Sequence, residues 1–417
     1  MKASLLLSLA LAGVLAAAPD FSQWAEFRGP TGQGHAKGPA PTKWGLTDGV
    51  AWKVDVPGEG WSSPLVVAQF VILTTAKKDG DKATLAVLAF DRASGKLKWE
   101  KDLFEPTVEE QKAIHSKNSL ASSTPIIADG VIYCHFAHMG TAALKLDGGE
   151  VIWKRKFEFE PRHGTGSSPI LVDDLMIVNM DSERPEPRVV ALSRKDGKTV
   201  WETTRDMDVR MKFSFSTPLV IENGGEKQLI SPGSGMVGAY RPKDGKLLWH
   251  VRYGQGFSLV PRPVTDGTNL YISTGFMKPN LLAIDPAGAE GDVTDSKNVK
   301  WERTRFIPKT PSYVHSKGHL YIIDDTGMLT CVEAKSGEEK WRERIPGNFS
   351  ASLTLVDGEI LYALTEDGVA YVFEVSPKGV KTLLELDMKD RLFASPALVD
   401  GELFLRSEGA LWKITGS

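Results

Sequence analysis

The chain has 417 residues, long for one ordinary domain, and 41% of them are hydrophobic, enough for a sizeable core. A formal net charge of −3 gives no whole-molecule basis for holding nucleic acid or an anionic membrane surface. Forty glycines and 24 prolines fit a chain of many turns, and two cysteines allow one disulfide at most.

Lys2 and the apolar run Leu5 to Ala18 read as an export signal over residues 1–18. Residues 19–49 form a lead-in, and residues 50–417 read as one repeated domain. No later apolar run reaches transmembrane length, and no cysteine near the cleavage region could carry a lipid. The mature protein is therefore expected in the periplasm or secreted, as a monomer without a membrane span.

From residue 50 onward two phrases recur. The first is Asp-x-x-x-Gly-(Lys/Glu)-x-x-Trp, a turn feeding a strand, and it ends at Trp99, Trp153 (shortened), Trp201, Trp249 and Trp341. A copy stretched by an insert runs from Asp285 to Trp301, and Trp52 extends the series toward the N-terminus. Successive tryptophans stand 40 to 54 residues apart, the period of a stacked or radial array. In the seventh unit Leu383 is expected to replace the tryptophan.

The second phrase is Ser/Thr-Pro, at Ser63, Thr124, Ser168, Thr217, Thr310 and Ser395, with Arg262-Pro263 and Ser352-Leu353 as departures. Both phrases give eight units of four short strands, which predicts an all-β, eight-bladed propeller of antiparallel blades. The last unit shows strands at Ala394 to Val399, Glu402 to Arg406 and Ala410 to Ile414, and then the chain stops. Val50 to Val56 has a fourth-strand pattern with no three strands before it. It is expected to complete blade 8 and close the ring, leaving no open sheet edge. Cys134 of blade 2 and Cys331 of blade 6 would stand on opposite sides of that ring, too far apart to bridge.

Over residues 22–417 these repeats resemble bacterial propellers with quinone-cofactor-like repeats. That superfamily includes quinoprotein alcohol dehydrogenases and the lipoprotein of the outer-membrane protein assembly machinery. The stretch Trp24 to Gly34 is similar to the lead-in of an exported subgroup. The resemblance implies that each tryptophan phrase is a docking motif wedged between neighbouring blades. It also implies a quinoprotein oxidoreductase as one function, but such enzymes carry an adjacent Cys-Cys pair that this chain lacks. The acidic insert Glu290 to Asp295 reads as a solvated loop rather than a calcium site. Gly233 to Gly238 leads into a strand, not a helix, so it is not a dinucleotide fingerprint. No cofactor and no metal are expected.

The links that enter each blade gather at one end of the channel, and they carry a polar set. It comprises Trp61, His115, Lys117, Asn118, Arg162, His163, Lys212, Arg262, Lys309, Asn348 and Arg391, with Phe213, Phe257 and Phe349 interleaved. A cationic mouth with aromatic platforms suits an acidic glycan or a carboxylate-bearing peptide. Docking of an envelope protein and a merely solvated set of loops are the other readings. An enzyme acting on an acidic carbohydrate is the catalytic alternative, with His115 or His163 as base.

Overall fold

The computed structural model describes residues 19–112 and 114–416, and the expected export signal at 1–18 lies outside them. Eight antiparallel sheets follow one another along the chain as blades. Blade 1 consists of Leu65–Val67, Phe70–Asp79, Lys82–Asp91 and Leu97–Phe104. The other innermost strands begin at Ile126, Ile170, Leu219, Val264, Val314, Thr354 and Ala397. Blade 8 is completed by Val50–Asp55, whose register runs from Val50 beside Ile414 to Asp55 beside Ala410. Two blades gain a short fifth strand in parallel: His35–Ala36 joins blade 7, and Gly291–Asp292 joins blade 4. The acidic insert thus covers an otherwise open outer edge.

The tryptophan phrase has a spatial explanation. In each of the seven blades that carry it, the outer strand bulges just before the tryptophan. In five of them the indole then lies against the turn glycine of the next blade, whereas Trp341 meets the next turn through its bond to Ser376 O at 2.7 Å. A Cβ on Gly95 would fall 2.8 Å from Trp52, one on Gly149 2.8 Å from Trp99, and one on Gly197 2.5 Å from Trp153. Trp201 meets Gly245 and Trp301 meets Gly337 in the same way. Several indoles also donate to a carbonyl of that turn, as Trp153 Nε1 does to Arg194 O at 2.9 Å. Trp249 differs: the insert covers it, and it donates to Gln228 Oε1 at 2.9 Å.

Register corrects two sequence assignments. In blade 7 Val372 pairs with Leu384 and Phe373 with Thr382, so Leu383 is the bulged residue and Leu384 holds the tryptophan position. In blade 6 the ring position of the second phrase belongs to Ser312 rather than Thr310. These hydroxyls link blade to blade near the axis. The Ser63 N–H donates to Thr124 Oγ1 at 2.9 Å, that of Thr124 to Ser168 Oγ at 3.0 Å, and that of Ser168 to Thr217 Oγ1 at 2.9 Å. The series resumes from Arg262 N–H to Ser312 Oγ at 3.0 Å, then to Ser352 and Ser395. Each bond satisfies a buried N–H where the inner strand begins. Thr310 instead donates to Asp325 Oδ1 at 2.8 Å.

The lead-in crosses the channel. Trp24 bridges Val66 of blade 1, Ala25 O accepts from Ile127 N–H, and Gln33 Nε2 donates to Pro263 O at 3.2 Å. Arg28 donates to Tyr313 O, and Gly34 O accepts from Leu355 N–H at 2.8 Å. One segment therefore touches blades 1, 2, 5, 6 and 7 and stoppers the channel from within.

Cys134 and Cys331 are free thiols, both buried, and burial pushes each up to about 12. Denatured chain without reductant should titrate with two thiols; fewer would reveal a disulfide. Burial also lowers several histidines, His135 to about 3 and His35 to about 4. Between those values and the ordinary 6.5 the unfolded chain binds more protons than the native one, so stability rises with pH there. The melting temperature should drop as pH falls from about 6.5 towards 4. A flat profile between pH 7 and 4.5 would show that these rings are not held neutral.

Candidate functional site

The outer strand of each blade and the loop between its second and third strands end on one face, around the axis. There the channel opens into a cup of about 460 Å³. Its floor includes Phe27 of the lead-in, so the cup has a single opening. Its lower wall carries ring hydroxyls, among them Ser63, Thr124, Ser168, Ser352 and Ser395. One side of the wall is aromatic. Phe213 stands 5.9 Å from Phe215 and 5.4 Å from Phe257, and Phe257 stands 5.7 Å from Phe276. On the opposite side Trp61 stacks on Phe393 at 4.7 Å. The lip is apolar, with Phe276 41% and Met277 68% exposed.

Of the eleven residues expected at the mouth, Trp61, His115, Lys117, Asn118, His163 and Lys309 line the cup. Arg162, Lys212 and Arg391 lie outside the lining and pair with Glu183 at 3.8 Å, Glu186 at 2.6 Å and Glu408 at 3.5 Å. Asn348 is exposed, and its carbonyl accepts from the Glu366 N–H at 2.8 Å. Arg262 is not at the mouth at all. It is 3% exposed, behind the floor, bonded to Glu26 at 2.9 Å and to Phe27 O at 2.6 Å. Its large side chain takes the place of a ring hydroxyl, and the lead-in supplies its partners. Phe349 is wholly buried in the blade core rather than offered to a ligand.

The expected ring of cations is largely neutralised. Lys117 reaches Glu366 at 2.6 Å, spanning the arc that blades 8 and 1 occupy. Lys309 is the exception. Its ammonium lies 4.9 Å over the Phe276 ring, and no carboxylate of the described residues is within ion-pair distance of it. Asp325, the one carboxylate in the lining, accepts from the Lys309 N–H at 2.6 Å and from Thr310.

The two histidines meet edge to face with ring centroids 5.2 Å apart. His115 Nδ1 accepts from the Lys117 N–H at 3.1 Å, and the His163 carbonyl accepts from Asn118 Nδ2 at 2.8 Å. Burial first, then His115 and Arg162, lower the His163 pKa, which keeps that ring neutral. Neither ring bonds to a carboxylate or tyrosine that would orient it as a general base. A calcium-bound quinone needs several oxygen ligands converging on the ion. The cup's lining offers one carboxylate, Asp325, and both its oxygens are already engaged by the Lys309–Thr310 link that enters the blade, so these residues do not fit that pair.

Missed from sequence were Phe27, Phe215, Phe276 and Phe393, all in the lining. Phe215 and Phe393 carried a signal, because each stands two residues before a ring position, as Trp61 does.

Fold and cup together define an eight-bladed propeller whose channel is stoppered at one end and open at the other. The chain belongs to the family described as outer membrane protein assembly factor BamB, whose model matches residues 44–170, 157–315 and 283–382. It is 25% identical to the outer membrane protein assembly factor BamB of Legionella pneumophila (strain Paris) over 219 residues, 50% of this chain and 51% of that protein. The match thus spans about half the length of that relative. The crystal structure of BamB from Moraxella catarrhalis superposes with a TM-score of 0.60 at 13% identity, over 88% of this chain and 99% of that one. A europium-containing methanol dehydrogenase gives 0.66 at 13% identity, over 94% and 91%. At such identities these two structures speak for the fold alone.

Proposed function

We propose that the protein is a periplasmic scaffold of outer-membrane protein assembly whose cup holds an acidic segment of a partner protein. Membership of the BamB family supports the assembly role. The observation that carries the docking role is the apolar lip at Phe276 and Met277, exposed on the rim of a single-ended cup. Exposed apolar residues beside a polar rim mark interaction sites. An acidic glycan is the other ligand of the same charge class. No helix among the described residues is long and apolar enough to cross a membrane.

Cells lacking the protein should show less β-barrel protein in the outer membrane. A Phe276→Ser/Met277→Ser chain should fail to restore it, while a Glu226→Ala chain, altered on the opposite face, should succeed. A lip variant that restores assembly fully would overturn the docking role. New reducing ends or unsaturated products from an acidic polysaccharide would replace it with the catalytic reading.

A further inference from the structure

The residue two positions before each ring position lines the cup, and these eight residues come in pairs by size. Blades 8 and 1 give Phe393 and Trp61, and blades 4 and 5, across the axis, give Phe215 and Val260. Blades 2 and 3 give Ser122 and Gly166, facing Thr310 and Ser350 of blades 6 and 7. In an eight-fold ring, blade 1 stands opposite blade 5 and blade 3 opposite blade 7. Bulk therefore faces bulk and small faces small, so the cup is a slot rather than a round well. Its long axis runs from blades 2 and 3 to blades 6 and 7.

The slot's chemistry is as uneven as its shape. One long wall is the phenylalanine cluster, whose members meet at 65° and 67° and so present ring edges beside ring faces. Such a cluster accepts another aromatic ring edge to face. It offers a sugar little flat surface, and the Trp61 ring is already stacked on Phe393 with Arg391 over it at 5.9 Å. Towards the blade 6 end of the slot, Lys309 holds its unpaired ammonium over Phe276. At the narrow ends the hydroxyls of Thr310 and Ser350 already donate to Asp325 and Glu366, and that of Ser122 bonds to Ser119, so they meet a threaded chain as acceptors for its amide N–H groups.

Resting on the docking role proposed above, we infer that the occupant is an extended peptide segment with an aromatic residue next to an aspartate or glutamate. Its ring enters the phenylalanine cluster, its carboxylate meets Lys309, and its backbone runs along the slot. A cup of this volume takes two or three residues, so the segment is short and its affinity modest.

The test uses the peptide fluorescein-Gly-Gly-Glu-Phe-Gly-Gly-amide, labelled on its N-terminal amine, and the whole mature protein, read by polarisation at low salt. The peptide should bind, and replacing its Glu by Gln or its Phe by Ala should weaken binding about tenfold. Lys309→Gln should weaken the Glu peptide by the same factor and leave the Gln peptide unchanged, because the two groups are coupled. Ser122→Trp, which fills one end of the slot, should abolish binding with its circular dichroism unaltered. Equal loss for both peptides on Lys309→Gln, or tighter binding of a uronate oligosaccharide than of any peptide, would overturn the inference. Absent peptide binding while the lip variant still fails in assembly would remove this ligand and leave the docking role standing. A lip variant that assembles β-barrels normally would remove that role itself.

Discussion

A chain shortened by residues 19–56 is expected to aggregate instead of folding to a monomer. The deletion removes Val50–Asp55, the outer strand of blade 8, and leaves Ala410–Ile414 with unpaired N–H and C=O groups along one side. An open edge of that length is a template for pairing with another chain. Trp52 goes with it, and so does its contact with Gly95 of blade 1 and its bond to Arg92 O at 3.2 Å. The stopper is lost as well, so Arg262 is left behind the cup without Glu26 or Phe27 O. Light scattering after size exclusion and a thermal melt would check this. A monomer with the parent melting temperature would show that the ring does not depend on its N-terminal strand.

Trp153→Ala is expected to cost about 3–5 kcal/mol of stability, as truncation of a large core aromatic does. The indole is 9% exposed and packs against the turn of blade 3, where Gly197 has φ +70° and no room for a Cβ. Removing it opens a cavity between blades 2 and 3 and leaves Arg194 O without its donor. Gly197→Ala should be destabilising for the reciprocal reason, since the methyl would meet the ring at 2.5 Å in a backbone conformation that suits glycine. Denaturant unfolding would measure both. A Trp153→Ala midpoint equal to the parent's would show that the wedges are dispensable.

The fold was legible because its two determinants repeat. A tryptophan needs a bulge before it and, in five blades, a glycine beneath it, and a ring hydroxyl needs a strand start after it, so both leave a fixed spacing. Legibility failed where a local change broke the spacing. The seventh blade has two adjacent leucines, and only pairing shows that Leu384, not Leu383, takes the tryptophan position. Pro311 drew attention to Thr310, whereas blade 6 places Ser312 on the ring. The site was legible in location more than in character. Loops entering the blades do converge on one mouth, but their cations had carboxylate partners brought in by other blades, as Glu366 is to Lys117. Arg262 looked like a mouth cation because its burial depends on a lead-in far away in sequence. Phe27 closes the cup from that same segment, and no spacing rule reaches it.

Site-specific photo-crosslinking in cells tests the account most directly. Benzoylphenylalanine at position 277, on the lip, should form an adduct with an outer-membrane β-barrel protein identified by mass spectrometry. The same group in place of Glu226, exposed on a first-to-second strand turn of the opposite face, should form none. Adducts confined to position 226, with position 277 silent, would contradict the cup as the docking site.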